Sequence, residues 1–182
     1  MTGVQTCALP IWGLYVRYGR TKINRCEFYA NTAELYDNQY GNCGAIGIAG
    51  SYWASKGGDY YAHVDLFNSV FVGNSGFYGA IQARTYSIIN AINNTFSDNI
   101  SSAGGNSFAI GNVGNPALSY FYLQNDISWR HTCDEKPEIV MTDYAKATVN
   151  FSDVHGGYNT ISMDPNTCQL DWYSNIGDNL IL

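Results

Sequence analysis

Short apolar segments alternate with polar residues along the chain and recur at a period of about one coil of a solenoid. A seven-residue frame with an apolar centre and polar ends occurs at residues 25–31, 68–74, 93–99, 125–131 and 150–156. The frames begin 43, 25, 32 and 25 residues apart. The spacing of 43 corresponds either to two coils or to one coil with a long loop.

A second apolar series lies between the frames. Its isoleucines, Ile46, Ile81, Ile110 and Ile139, are spaced 35, 29 and 29 residues apart. Two series that interleave at one period are expected when coils stack, because each coil places one short strand in each sheet and the next coil lies about 4.8 Å away. The pattern predicts an all-β parallel β-helix of about five to six coils over residues 12–182, with little or no helix.

Segments rich in β-branched and aromatic residues precede the later frames, at residues 64–67, 87–92, 118–123 and 147–149, and these are predicted strands. Asn31, Asn74 and Asn99 end the first three frames and are predicted to mark turns, since Asn tolerates unusual backbone angles. Stacking would place their side chains above one another, where they could hydrogen-bond along a column. An alternative is N-glycosylation, since Asn93, Asn99 and Asn150 each begin an acceptor pattern.

Residues 49–61 form the longest insertion and are predicted to be a loop. Its aromatic residues Tyr52, Trp53, Tyr60 and Tyr61 are candidate ligand-binding residues, because flat rings stack on sugar faces and Tyr hydroxyl groups hydrogen-bond. Alternatively, the insertion folds back and covers apolar surface.

The composition suits a β structure with many turns. Charged residues make up 13% of the chain, whereas there are 19 Gly and 15 Tyr. The net charge is −6 and no basic run occurs, which argues against nucleic-acid binding. No stretch of 18 apolar residues is present, so no transmembrane helix is predicted.

The cysteine count permits two disulfide bonds. Without Cys7, four remain, namely Cys26, Cys43, Cys133 and Cys168. An even number fits an oxidising compartment, and pairing of near neighbours (26 with 43, 133 with 168) is one of three connectivities. The alternative is buried free thiols in a β core.

Both ends of the chain suggest a fragment of a longer protein. Residues 1–11 resemble one reading frame of a sequencing adapter and lack the basic start of a signal peptide, so we expect them to lie outside the fold. The last five residues end on an apolar, strand-like run. The rest of its own longer chain is therefore an expected neighbour.

Two stretches resemble a known group of bacterial proteins. Residues 68–74, Asn-Ser-Val-Phe-Val-Gly-Asn, resemble an element of right-handed β-helix repeat proteins of the pectate-lyase-like superfamily. Residues 148–158, Thr-Val-Asn-Phe-Ser-Asp-Val-His-Gly-Gly-Tyr, resemble an element of its choice-of-anchor Q subgroup. The resemblance covers residues 12–182. It implies a right-handed parallel β-helix in an exported, surface-anchored protein.

Enzymes of that superfamily abstract a proton with Arg or Lys, usually helped by Ca²⁺ that acidic side chains hold. The resemblance therefore implies that catalytic residues would be carboxylates close to Arg or Lys. The catalytic candidates are Asp65, paired with Arg84 or Lys22 on an adjacent coil, and Asp153 with His155. The last two fall inside the structural motif of the subgroup, and the lone His63 and His131 are expected in loops or turns. Ca²⁺ is expected only if the chain is a lyase, and no other cofactor or metal is predicted.

A glycoside hydrolase would need two carboxylates across a cleft. The acidic clusters at residues 34–37 and 134–135 could supply them, although such clusters are more often solvated turns. No signature of a serine hydrolase, zinc protease or phosphate-binding loop occurs.

The sequence therefore favours a non-catalytic scaffold segment of a secreted or cell-surface bacterial protein. Its expected partner is an extracellular polysaccharide or host glycan. The alternative function is that of a polysaccharide lyase or glycoside hydrolase acting on an acidic or plant-type polysaccharide.

Overall fold

A computed structural model describes residues 13–33, 43–53, 58–111, 118–129 and 136–175, with the backbone alone for residues 51–53 and 58–60. Three main sheets run along the molecule. Sheet 1 contains Leu14–Arg17 (β1), Ile46–Ala49 (β4), Ile81–Arg84 (β10), Phe108–Gly111 (β14), Ile139–Met141 (β17) and Ile161–Met163 (β20). Sheet 2 contains Gly19–Asn24 (β2), Ala62–Phe67 (β7), Ser87–Ile92 (β11), Ser119–Gln124 (β15), Ala145–Asn150 (β18) and Gln169–Tyr173 (β21). Sheet 3 contains Glu27–Tyr29 (β3), Val70–Val72 (β8), Thr95–Ser97 (β12), Ile127–Trp129 (β16) and Asp153–Val154 (β19).

The remaining elements are short. Ser51–Trp53 (β5) and Gly58–Tyr60 (β6) pair as an antiparallel hairpin, within the insertion predicted to be a loop. Ser75–Gly76 (β9) and Ile100–Ser101 (β13) form a small parallel sheet. A 3-10 turn covers Gly157–Thr160.

The three sheets confirm the predicted β-helix. Every strand in them pairs in parallel with the equivalent strand of the next coil, and sheets 1 and 2 each contain six strands. The spacing of 43 residues is one coil with long insertions, because Asn31 and Asn74 lie directly on top of each other, with 2.8 Å between Nδ2 and Oδ1.

Alternation along the strands points one set of side chains into the coil, where equal positions stack into columns. The clearest column contains Phe28, Phe71 and Phe96, whose ring centroids are 4.7 Å apart at each step, with interplanar angles of 3° and 12°. In the next coil this position is Ser128, which pairs with Phe96. The ring of Phe108 lies against Phe96 instead, at a centroid distance of 4.4 Å, and fills the interior there.

The register corrects two alignments made from the sequence. Phe108, not Ile110, pairs with Ile81 and Ile139, so the apolar series shifts by two residues in that coil. A shift of two keeps the same face inward, which is why the apolar pattern did not reveal it.

The fifth frame is displaced by one residue. Asn150 pairs with Gln124 in sheet 2, so Phe151, not Asn150, is the equivalent of Asn125. Both Phe151 and Asn125 have positive φ, 48° and 55°, and begin the turn between sheets 2 and 3.

The predicted asparagine column is confirmed. Asn31 donates from N and Nδ2 to Oδ1 of Asn74, and Asn74 donates in the same way to Oδ1 of Asn99, at 2.8–3.2 Å. Nδ2 of Asn74 and of Asn99 also donates to a carbonyl of sheet 3, Phe28 O and Phe71 O, both at 3.0 Å. Asn99 is fully buried, so its place in the column, and not glycosylation, accounts for this residue.

A second column, buried except at its last member, runs along the turn between sheets 2 and 3. Its members follow the residues of positive φ in each coil and are Ser69, Asn94, Asp126, Ser152 and Asn175. Asp126 is a carboxylic acid where the coil before it has an amide: N and Nδ2 of Asn94 donate to its Oδ1 at 2.6 and 2.9 Å. Burial raises the pKa of Asp126 to about 7, against the lowering effect of the hydrogen bonds from Asn94 and Gln124.

We expect Asp126→Asn to stabilise the protein in a pH-dependent way. Because the pKa of Asp126 is higher in the folded chain than in the unfolded chain, the wild type loses stability as the pH rises from about 4 to about 7. The variant keeps Oδ1 as the acceptor for Asn94 without a buried charge, and it gives up only the longer hydrogen bond from Gln124 N to Oδ2, at 3.2 Å. Its free energy of unfolding should exceed that of the wild type by about 2–4 kcal/mol at pH 8 and by much less at pH 4.

Urea unfolding at both pH values measures this difference. Exposed Asp143→Asn is the matched control and should show no comparable gain. An equal gain for Asp126→Asn at both pH values would contradict the buried-charge explanation.

We expect Asn74→Ala to destabilise the protein by about 2–4 kcal/mol, because it leaves buried partners in two neighbouring coils without their hydrogen bonds. Exposed Asn24→Ala, which removes one contact to Asn68, should cost about 0.5 kcal/mol or less. Chemical denaturation of both variants tests the comparison, and equal losses would show that burial of the column is unimportant.

Candidate functional site

The outer face of sheet 2 presents polar and aromatic side chains in rows across six coils. One row follows the paired positions Lys22, Asp65, Asn90, Tyr122, Thr148 and Asp171. The neighbouring row follows Arg20, His63, Ile88, Tyr120, Lys146 and Gln169. Since strands of a sheet lie about 4.8 Å apart, each row is a line of side chains at a fixed spacing.

Asp65 is the centre of a cluster at one end of this face, the Asp65 cluster, made of Arg20, His63, Asp65 and Asn90. Its Oδ2 accepts from Nε of Arg20 at 2.8 Å, and Nη2 of the same guanidinium lies 2.7 Å from it. Its Oδ1 accepts from Nδ2 of Asn90 at 2.8 Å and lies 3.1 Å from Nε2 of His63. The Asp65 side chain is only 9% exposed although it belongs to an outward-facing row.

These partners outweigh the cost of burial at Asp65. Burial by itself would raise the pKa of the carboxyl group, but the hydrogen bonds from Asn90 and Arg20 and the charges of His63 and Arg20 lower it below its ordinary value. Asp65 is therefore a fixed anion at neutral pH. A carboxylate held in this way suits the positioning of cations better than proton transfer.

A groove lies at the other end of the same face, over coils four to six. It is lined by Tyr120, Tyr122, Lys146, Ala147, Thr148, Gln169 and Asp171, and it has a volume of about 210 Å³. We call it the tyrosine groove. Tyr122 is 44% exposed, so its ring is available to a ligand. The lining combines aromatic surface with a cation, a carboxylate, an amide and a hydroxyl group.

The predicted aromatic residues of the insertion lie at the corner between sheets 1 and 2. Tyr52 and Trp53 belong to β5 and Tyr60 to β6, and their side chains lie outside the described residues. The half-buried Tyr61 packs edge to face on Tyr86, with ring centroids 5.5 Å apart. This contact agrees with the alternative that part of the insertion covers apolar surface.

The structure separates one proposed catalytic pair and aligns the other. Arg84 belongs to sheet 1, where its Nη2 donates to Gln82 at 2.9 Å, so Asp65 and Arg84 are on different sheets. Lys22 pairs directly with Asp65 across β2 and β7. His63 lies within strand β7, which corrects its expected place in a loop or turn.

Asp153 and His155 lie on and just after β19, at the edge of sheet 3. Burial raises the pKa of Asp153, partly offset by the charge of His155, and its Oδ1 has no hydrogen-bond partner among the described residues. His155 stands edge to face against Trp129, with ring centroids 5.0 Å apart. The acidic clusters at residues 34–37 and 134–135, and His131, lie outside the described residues.

A buried polar cluster near His155 was missed by the sequence analysis. Oε2 of Glu138 accepts from Oγ of Ser107 at 3.2 Å and of Ser128 at 3.0 Å, and all three residues are 2% exposed or less. Nδ1 of His155 lies 3.9 Å from Oε1 of Glu138. Ser128 replaces a phenylalanine of the interior column, and that break in the repeat is the signal that could have revealed the cluster.

The structure does not form the suggested disulfide bond between Cys26 and Cys43. Cys26, Cys43 and Cys168 are free thiols, and Cys133 lies outside the described residues. Cys26 lies within the turn from sheet 2 to sheet 3, whereas Cys43 lies just before sheet 1, so the two occupy different corners of the coil. Burial raises the pKa of Cys43 to about 12, which makes its thiol unreactive and fits the alternative of a buried free thiol.

No group of three or more His, Cys, Asp or Glu side chains that could hold a metal ion occurs in the described part of the chain. Among the same residues, no helix is long and apolar enough to cross a membrane. Comparison with known proteins found no matching family model, no matching curated protein and no matching solved structure.

Proposed function

We propose that this chain is a non-catalytic β-helix segment of an exported bacterial surface protein and binds an extracellular polysaccharide or host glycan through the outer face of sheet 2. The observation that supports this most is the tyrosine groove. Aromatic rings offer apolar surface to the CH groups of a sugar ring, while Lys146, Gln169 and Asp171 supply donors and acceptors for its hydroxyl groups.

The rigidity of the scaffold supports the same proposal. Tyr120 and Tyr122 project from one strand, β15, whose neighbours β11 and β18 hold it on both sides. The backbone that carries the two rings therefore has a fixed position before a ligand arrives, which lowers the entropic cost of binding. The row direction also suits an extended polymer, because the same face continues over neighbouring coils.

Membership of the pectate-lyase-like superfamily and export from the cell belong to this proposal. They rest on the two sequence elements at residues 68–74 and 148–158, of which the first forms β8 and its turns and the second contains β19. Disulfide bonds would have supported export to an oxidising compartment. Cys26, Cys43 and Cys168 are free thiols, so the cysteines do not support this part of the proposal.

We expect Tyr122→Ala to weaken glycan binding about three- to tenfold, because it removes a stacking surface from the groove. Affinity electrophoresis against a panel of soluble neutral and acidic polysaccharides measures the effect. Tyr29→Ala is the matched control, since Tyr29 is 72% exposed on sheet 3, away from the groove. Equal binding by wild type and Tyr122→Ala would count against the groove, and an absence of binding to every polysaccharide would count against the function.

A polysaccharide lyase is the second candidate function. The specific observation in its favour is that Lys22 and Asp65 face each other on adjacent coils of one solvent-facing sheet. In this function Asp65 would position the neighbouring cation and would not itself transfer the proton.

A cleavage screen separates the two functions. If the chain is a lyase, incubation with acidic polysaccharides should give new unsaturated ends, detected by ultraviolet absorbance, and Asp65→Asn should abolish them while the circular dichroism spectrum stays unchanged. Asp98→Asn, on the turn after β12, is the control. Binding without product formation favours the non-catalytic function.

A further inference from the structure

The Asp65 cluster lies on the outer face of sheet 2, apart from the tyrosine groove. An outward-facing carboxylate on a sheet surface normally stays in water, yet Asp65 is almost completely covered and has polar partners on both oxygen atoms. Its cover is Arg20, from the preceding coil, whose side chain is 67% exposed. The surface that a ligand meets is therefore the guanidinium group and not the carboxylate.

The hydrogen bonds fix the orientation of that guanidinium. Oδ2 of Asp65 binds the Nε and Nη2 side of Arg20, at 2.8 and 2.7 Å. Among the described residues, no partner contacts Nη1, so the edge between Nη1 and Nη2 is left for another oxyanion. A guanidinium can bind carboxylate-like groups through two parallel hydrogen bonds, and an arginine that is already held in place loses less entropy when it does so.

A second cation, Lys22, lies on the same outer face. It is two residues after Arg20 on β2, so the two side chains leave the strand on the same side, about 7 Å apart at their bases. Its Nζ stands 5.4 Å from the ring centroid of Phe67, a contact that holds the ammonium group over the sheet. Two cations thus concentrate at one end of the sheet face in a chain of net charge −6.

We propose that Arg20 and Lys22 form an anion-binding site for the carboxylate or sulfate groups of an acidic polysaccharide. This inference rests on the proposed function. The site and the tyrosine groove share one face, with three strand spacings, about 14 Å, between β2 and β15. An extended polysaccharide can therefore place an acidic unit at Arg20 and Lys22 while its sugar rings lie against Tyr120 and Tyr122.

The same residues account for the role of Asp65. Its negative charge is used to hold Arg20, and Lys22 lies opposite Asp65 without a hydrogen bond to it among the described residues. The other oxygen of Asp65, Oδ1, is contacted by His63 and Asn90. The buried carboxylate therefore has partners on both oxygen atoms without a ligand. A bound anion is thus kept apart from the buried carboxylate by the guanidinium itself.

The test compares binding of sodium alginate (a polyuronate), dextran sulfate and uncharged dextran by the folded full chain. Lys22→Gln should weaken binding of the charged polymers about three- to tenfold and leave dextran binding unchanged. Arg20→Lys, which keeps the charge but loses the two-pronged geometry, should weaken alginate binding by a similar factor. Arg17→Gln, an exposed cation on sheet 1, is the control with the same change of net charge and should have no effect.

The outcomes distinguish this site from the proposed function. Charged-polymer binding that falls equally in Lys22→Gln and Arg17→Gln would reflect net charge alone and overturn the site. Binding that depends on Tyr122 but not on Lys22 or Arg20 would also overturn it and would leave the groove standing. Loss for alginate but not for dextran sulfate identifies carboxylate as the preferred group, and the reverse identifies sulfate.

A small-anion titration covers the case in which no polymer binds. Nitrogen-15 NMR of the Arg20 Nε resonance, with sodium galacturonate or sodium sulfate as the probe and sodium chloride as the control, reports on the guanidinium directly. A saturable shift that Lys22→Gln weakens would support the anion site even if polysaccharide binding, and with it the proposed function, failed. No shift beyond that caused by chloride would overturn the site.

Discussion

The structure depends on the in-register stacking of parallel strands. Each coil lies one strand spacing above the previous coil. A side chain that points inward therefore contacts the side chain at the equivalent position of the neighbouring coil. Residues of the same type then interact with each other. The rings of Phe28, Phe71 and Phe96 stack face to face. The side-chain amides of Asn74 and Asn99 each donate and accept hydrogen bonds. No coil could bury these groups alone.

The same constraint makes departures from the repeat informative. Ser128 leaves space in the aromatic column, and Phe108 from sheet 1 fills it, while Ser128 turns to Glu138 for a hydrogen bond. Asp126 interrupts a column of neutral side chains with an acid whose pKa burial raises to about 7. Both departures lie in the fourth coil, where the interior changes from aromatic to partly polar.

Stacking also determines what the outside of the molecule can do. Outward-facing side chains become rows at fixed spacing, and residues far apart in the sequence become neighbours: Arg20 and Asp65 are 45 residues apart, yet they form a direct ion pair. Because a rigid sheet holds them, Tyr120 and Tyr122 occupy defined positions in the groove. A surface of this kind suits an extended ligand better than a compact one.

The sequence by itself determined the class of fold, a range of five to six coils that includes the six strands described in sheets 1 and 2, and the asparagine column, because alternation and turn residues are local signals that repeat in each coil. The structure decided the register. It showed that Phe151 and not Asn150 begins the turn after β18, and that Asp65 is bound by Arg20 and pairs with Lys22 across neighbouring strands, whereas Arg84 lies on another sheet. A repeat fixes which positions face inward, but the lengths of the corner insertions fix which residues stack. The effect of those lengths can be read only when the coils are stacked. The Asp65 cluster, the tyrosine groove and the Glu138 contacts are formed by that stacking.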